Sequence, residues 1–192
     1  MWIKLKRVCG FTVIELMISL VVLALIATLG VPSMADFLKN NKLKSQAYAF
    51  SAVLNYARSE AIKRKERVVL CRSANPTASS PTCGGTANTW TTGWLIFTDP
   101  DDNDVYNSGT DTLLKVSSNI PPNVNIRTNS VANNNIELNA DGTTNEGGAT
   151  ARVAICDDRG GNYGRQINIG PLGRPILEKG TSSVAINCTN PA

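Results

Sequence analysis

From Phe11 to Val31 the chain is almost wholly apolar, reading FTVIELMISLVVLALIATLGV, and Pro32 follows. As a helix this run extends about 31 Å, enough to cross the hydrocarbon core of a bilayer. Beyond Pro32 the pattern becomes amphipathic. Leu43, Ala47, Phe50, Leu54, Ala57 and Ala61 recur at spacings of 4, 3, 4, 3 and 4, which is one stripe of a helix. Lys39, Lys42, Lys44, Arg58, Lys63, Lys65 and Arg67 fall mostly off that stripe. Because the periodicity resumes so soon, Pro32 is expected to kink the helix rather than end it. The pattern thus predicts one helix from about Phe11 to about Lys65, roughly 80 Å long. A coiled coil is the rival reading. An alanine-rich stripe of under about three heptads weakens it.

From Val68 onward the helical period is lost, and short strand-like runs alternate with turn-rich stretches. The predicted strands are Val68–Arg72, Trp94–Thr98, Leu113–Ser117, Val124–Thr128, Asn135–Asn139, Arg152–Cys156, Gln166–Ile169, Arg174–Leu177 and Ser183–Asn187. Asp141-Gly142, Gly160-Gly161 and Leu172-Gly173 signal tight turns, and residues 73–92 form a Ser/Thr/Pro/Gly loop. One long helix followed by many short strands predicts an α+β fold, with an antiparallel sheet laid on the helix.

Charge sharpens this division. The net charge of the 192 residues is +4, but Lys4, Lys6 and Arg7 precede the apolar run, and without the first ten residues the balance is +1. That argues against a globally basic nucleic-acid binder. The positive-inside rule keeps residues 1–10 cytoplasmic and sends the rest outward. There is no histidine, which excludes Ser-His-Asp and Cys-His catalysis, imidazole metal sites and histidine pH switching. With no nucleophile motif either, the chain does not read as an enzyme.

An ordinary secretory signal or signal anchor would also place cations before an apolar run. Gly30-Val31-Pro32 is a poor cleavage site, however, and Glu15 lies inside the apolar segment. A carboxylate there costs about 2.5–3.5 kcal/mol on insertion scales, so it calls for a partner. Gly10-Phe11-Thr12-Val13-Ile14-Glu15-Leu16 resembles the class III signal of type IV pilins and type II secretion pseudopilins. The resemblance implies cleavage after Gly10 by a prepilin peptidase, N-methylation of Phe11 and a role for Glu15 in assembly. The new amine of Phe11 is a cation, and Glu15 of one subunit can pair with the amine of another. The segments then read as a leader (1–10), a transmembrane helix (11–31), its amphipathic continuation (32–67) and a β-rich domain outside the cytoplasm (68–192).

Later segments resemble one branch of that family, the GspH/FimT/FimU type. They are Tyr56-Ala57-Arg58-Ser59-Glu60-Ala61-Ile62, then Gly93-Trp94-Leu95-Ile96-Phe97-Thr98-Asp99, and Gly164-Arg165-Gln166-Ile167-Asn168-Ile169 with Gly173-Arg174. The resemblance implies a minor pilin held in the inner membrane and then built into a pilus, near its tip. Its partners would be other major and minor pilins and the inner-membrane assembly platform. A GspH-type pseudopilin of a type II secretion system shares the same signal and fold. Some FimT-type pilins bind DNA through Gly-Arg-x-Arg. Here Gly173-Arg174-Pro175-Ile176 lacks the second arginine, and Arg159 and Arg165 compensate only if their turns converge on Arg174. Residues 73–151 carry two cations against eight carboxylates, whereas from Arg152 onward five cations face three carboxylates. Any DNA contact is therefore expected in the C-terminal part, with steep salt dependence.

Five cysteines are present, and Cys9 lies in the leader. The other four suggest two disulfides in an exported domain. Proximity favours Cys71–Cys83 and Cys156–Cys188 among three pairings. Zinc is the rival reading, but there is no CxxC pair and no histidine. Asp99, Asp101 and Asn103, followed by Asn107 and Asp111, resemble a calcium loop with alternating oxygen ligands. Asp104 stands where an EF-hand glycine belongs, and no glutamate closes the loop. A solvated turn is the alternative. No other cofactor is expected.

Overall fold

A computed structural model describes residues 10–118, 120–132, 134–145, 148–189 and 191. Apart from Gly10, the expected leader with Cys9 lies outside them. Helix α1 runs from Val13 to Arg64, and the backbone is helical through position 32. Thr12 begins it: the Glu15 backbone N–H donates to Thr12 Oγ1 at 3.3 Å. This is half of a Thr-x-x-Glu capping box, which satisfies a first-turn donor that the helix itself cannot. At the other end Lys65 takes a left-handed backbone, with φ of 58°. The Glu66 N–H then reaches back to the Ala61 carbonyl at 3.3 Å. That bond has the reach of a Schellman stop.

Packing divides the chain into two compact units, Met1–Lys39 and Asn40–Ala192. In the first, the described side chains from Phe11 to Thr28 are all exposed, and the helix is long and apolar enough to cross a membrane. In the second, the helical stripe Leu43, Ala47, Phe50, Leu54, Ala57 and Ala61 is buried.

Eight strands follow α1. They are β1 (Val68–Arg72), β2 (Trp94–Thr98), β3 (Leu113–Ser117), β4 (Asn125–Thr128), β5 (Asn135–Leu138), β6 (Ala151–Cys156), β7 (Arg165–Ile169) and β8 (Pro175–Lys179). They form two four-stranded sheets ordered β3-β2-β1-β5 and β4-β6-β7-β8, and every pairing is antiparallel. The single expected sheet is therefore two. The expected strand at Ser183–Asn187 is absent: this segment is an irregular tail, anchored where the Ile186 N–H donates to the Gly161 carbonyl at 3.0 Å.

Strand periodicity explains why both faces of the central strands are buried. Val68 and Leu70 of β1 and Trp94 and Ile96 of β2 join the helical stripe in the main core, while Val69, Cys71, Leu95 and Phe97 face outward. Those four are covered by Cys83, Tyr106 and Leu113, with the rings of Phe97 and Tyr106 edge-on at 5.5 Å. On the second sheet, Ala154 and Cys156 face outward beneath Ile186 and Cys188 of the tail. Each outer face is thus closed by a loop rather than by a second layer. Phe50 of α1 meets Trp90 edge-on at 6.0 Å within the main core, and Trp90 Nε1 donates to Thr128 Oγ1 at 3.2 Å.

Candidate assembly segment and binding surfaces

The N-terminal segment presents an apolar surface carrying one carboxylate. Phe11 is 82% exposed, and Leu16, Met17, Ile18, Leu20 and Leu23 are exposed behind it. Glu15 sits in the first turn of α1, where the helix dipole favours a negative charge. Its backbone N–H is taken by Thr12, while its side chain is exposed. The capping role of Thr12 is legible in the sequence as Thr-x-x-Glu.

Both disulfides join neighbours in the chain. Cys71 is bonded to Cys83 across 12 residues with Cα atoms 5.6 Å apart, and Cys156 to Cys188 across 32 residues at 5.9 Å. The first bond fastens the loop after β1, and the second fastens the tail.

The acidic loop after β2 is organised by Arg67, one of the cations off the helical stripe. Arg67 forms ion pairs with Asp99 (3.1 Å), Asp102, Asp104 and Glu137. The Asp99 N–H also donates to the Arg67 carbonyl at 2.9 Å. Carboxylate oxygens of Asp99, Asp101 and Asp111 lie within 4.8 Å of one another. Asn103 stands beside Asp101. Its Nδ2 donates to Asp101 at 2.7 Å and its Oδ1 accepts from the Val105 N–H at 2.8 Å. Asp111, the last oxygen ligand of the expected loop, thus lies beside Asp99 and Asp101. Asp99 also accepts from the backbone N–H groups of Asn103 (3.2 Å) and Asp104 (3.1 Å). Desolvation, a hydrogen bond with Asp99 and the charge of Asp111 hold the Asp101 carboxyl above its ordinary value.

The three candidate DNA-contacting arginines do not form one patch. Arg159 is held by Asp157, from Nε at 3.0 Å and Nη2 at 2.7 Å, and by Asn40 at 3.1 Å, and it stacks 4.5 Å from the Tyr163 ring. Arg165 is 8% exposed, and its Nη1 donates to the carbonyls of Tyr163 (2.7 Å) and Gly164 (3.0 Å). Burial, then the nearby charge of Arg159, pushes its guanidinium below its ordinary value. Arg174 is exposed. In the β7–β8 hairpin Arg165 faces Lys179, while Pro175 faces Ile169 at the opposite end. Arg174 therefore lies about 15 Å from Arg165 along the strands. The convergence needed to replace the missing second arginine does not occur. Gly173, at φ 67°, packs instead against the Gly142 carbonyl.

The sequence matches the family described as Type II transport protein GspH over residues 46–173, and that described as Prokaryotic N-terminal methylation motif over residues 5–31. No curated protein matches it. Two crystal structures of the type IV minor pilin FimU of Pseudomonas aeruginosa share the fold. One, in space group P21, has a TM-score of 0.53 at 24% identity, covering 78% of this chain and 96% of that one. The other, in space group P65, has a TM-score of 0.52 at 21% identity, covering 71% and 92%.

Proposed function

Because the chain belongs to the GspH family of minor pilins and pseudopilins and carries the N-terminal methylation motif, we propose that it is a minor type IV pilin that enters the pulled-out filament early and helps initiate its assembly. The observation that carries this reading is Glu15, a single carboxylate on the exposed, otherwise apolar first turns of α1. A lone membrane charge is tolerated when a partner neutralises it. Cleavage after Gly10 by a prepilin peptidase creates that partner, the Phe11 amine of a neighbouring subunit, and N-methylation leaves it a cation. Before extraction the subunit stands in the inner membrane with residues 32–192 on the periplasmic side. The assembly platform then hands it to other pilins. The chain's work is structural: packing and pairing, with no bond made or broken.

The test is a deletion strain whose sheared surface pili are compared after complementation. Wild type is expected to restore pili. Glu15→Ala is expected to reach the membrane at normal level yet leave the surface bare. Normal piliation by Glu15→Ala overturns the role of Glu15. Normal piliation of the deletion strain overturns the pilus reading as a whole.

The matched family description favours a second reading, a minor pseudopilin of a type II secretion system. Under it, the deletion strain keeps its pili and loses secretion of folded enzymes. Adhesion, twitching motility and DNA uptake are downstream of the pilus in the first reading. The structure lends DNA uptake little support, because Arg159 and Arg165 are engaged within the fold and Arg174 stands apart.

A further inference from the structure

A second cation in the domain lacks what Arg67 has. Arg72 ends β1 and is only 6% exposed. Its Nη2 donates to Asn134 Oδ1, yet Nε and Nη1 are buried with no hydrogen-bond partner among the described residues. No carboxylate pairs with it there, and burial alone pushes its guanidinium below its ordinary value. An unpaired buried charge is costly, and unsatisfied donors add to that cost. Arg72 lines a cleft of about 330 Å³ together with Cys71, Cys83, Gly85, Asp104 and Asn135. Gly85 forms the wall at the guanidinium: a Cβ there would lie 3.5 Å from Arg72 Nη1. Its φ of 116° and the missing side chain keep that wall thin.

We propose that this cleft is a binding site for a single small carboxylate, held by the Arg72 guanidinium. Guanidinium and carboxylate match as planar two-pronged partners, so one ligand group satisfies the orphan donors and neutralises the charge together. The cleft has the volume of a small-molecule site. Polyanions are excluded by their surroundings. Asp104 lines the cleft, and Asp99, Asp102 and Glu137 gather with it around Arg67. Asp104 is itself matched by Arg67, so it does not serve as counter-ion to Arg72. A strand of nucleic acid would meet these carboxylates, whereas one acetate-sized group need not.

The experiment uses the full mature chain in detergent micelles at neutral pH, with sodium acetate as probe. Sodium chloride and sodium phosphate at equal ionic strength are the controls. Acetate is expected to raise the melting temperature saturably, by a few degrees at about a hundred times its Kd, and Arg72→Gln is expected to abolish the rise. An equal rise with chloride overturns specific binding, and a larger rise with phosphate overturns the carboxylate assignment. Should Arg72→Gln not fold, the Arg72 Nε resonance of the ¹⁵N-labelled wild type decides. Movement with acetate but not with chloride supports the site, and a stationary resonance overturns it. Pilus assembly does not enter this readout, so its failure leaves the assembly reading standing.

Discussion

Arg58 Nε donates to the Gly142 carbonyl at 2.9 Å, joining α1 to the turn after β5 across 84 residues of chain. Gly142 has φ of 81°, and a Cβ on it would sit 2.7 Å from Ile62 Cδ1 and 3.1 Å from Arg58 Nε. Helix and turn are therefore fitted without a spare atom. Gly142→Ala is expected to destabilise the domain by about 1–3 kcal/mol through backbone strain and the clash. That appears as a melting temperature several degrees lower, measured by circular dichroism in micelles. Unchanged melting would show that the turn relaxes freely.

Two carboxyl groups are displaced in opposite directions. Hydrogen bonds from the Thr143 hydroxyl and N–H hold Asp141 below its ordinary value. Burial and the charge of Glu137 hold Asp104 above it, despite Arg67. The stabilisation from Asp141 is present above the unfolded-state carboxylate value and is lost as pH falls through the lower folded value. For Asp104 the sign reverses: ionisation opposes folding, and the cost develops as pH rises from the unfolded value through the higher folded one. Carboxyl-carbon NMR during acidification from neutral pH should find Asp104 taking up its proton first and Asp141 last. The reverse order would contradict the hydrogen-bond assignments.

Arg67 already supplies positive charge to the acidic loop. Calcium needs 6–8 oxygen ligands, and Asp99 is committed to Arg67 and to two backbone N–H groups. Millimolar calcium is therefore expected to leave wild-type melting nearly unchanged. In Arg67→Gln, four carboxylates lose their cation, and calcium should restore part of the lost stability. A large calcium shift in wild type, abolished by Asp111→Asn, would instead establish an ion site at Asp99, Asp101 and Asp111.

The tail is held by one covalent bond and a few backbone contacts. Replacing both Cys156 and Cys188 by serine is expected to cost about 3–4 kcal/mol by loop-closure entropy. Residues 181–189 should become sensitive to protease while Trp fluorescence stays native. Resistance to protease would place the tail's stability in its hydrogen bonds.

Much of the architecture was legible because its periods are clean. The short apolar runs of β1 and β2, bounded by turn-rich stretches, and the 3–4 spacing of the helical stripe leave few alternatives. Ser183–Asn187 misled for the same reason: Val184, Ala185 and Ile186 form a short apolar run like those strands, but their segment serves as a clasp on an outer face. Lys65 carries no compositional sign of a left-handed helix stop, since glycine is the usual one. Arg67 was illegible as a hub because its partners lie 32 to 70 residues away in the chain. The separation of Arg165 from Arg174 was readable in principle. Gly170-Pro171-Leu172-Gly173 marks a hairpin turn, and residues well before and just after such a turn end up far apart.

The two disulfides lie on the two outer faces, each pinning the cover over apolar side chains. A newly made chain in a reducing cytoplasm has neither cover locked down. Val69, Leu95 and Phe97 then keep Tyr106 and Leu113 over them, while the loop carrying Cys83 is free to lift. Forming the two disulfides closes both faces. Under the proposed topology the domain's exterior is thus finished by the compartment it enters, and a fully closed surface is a chemical record of that crossing.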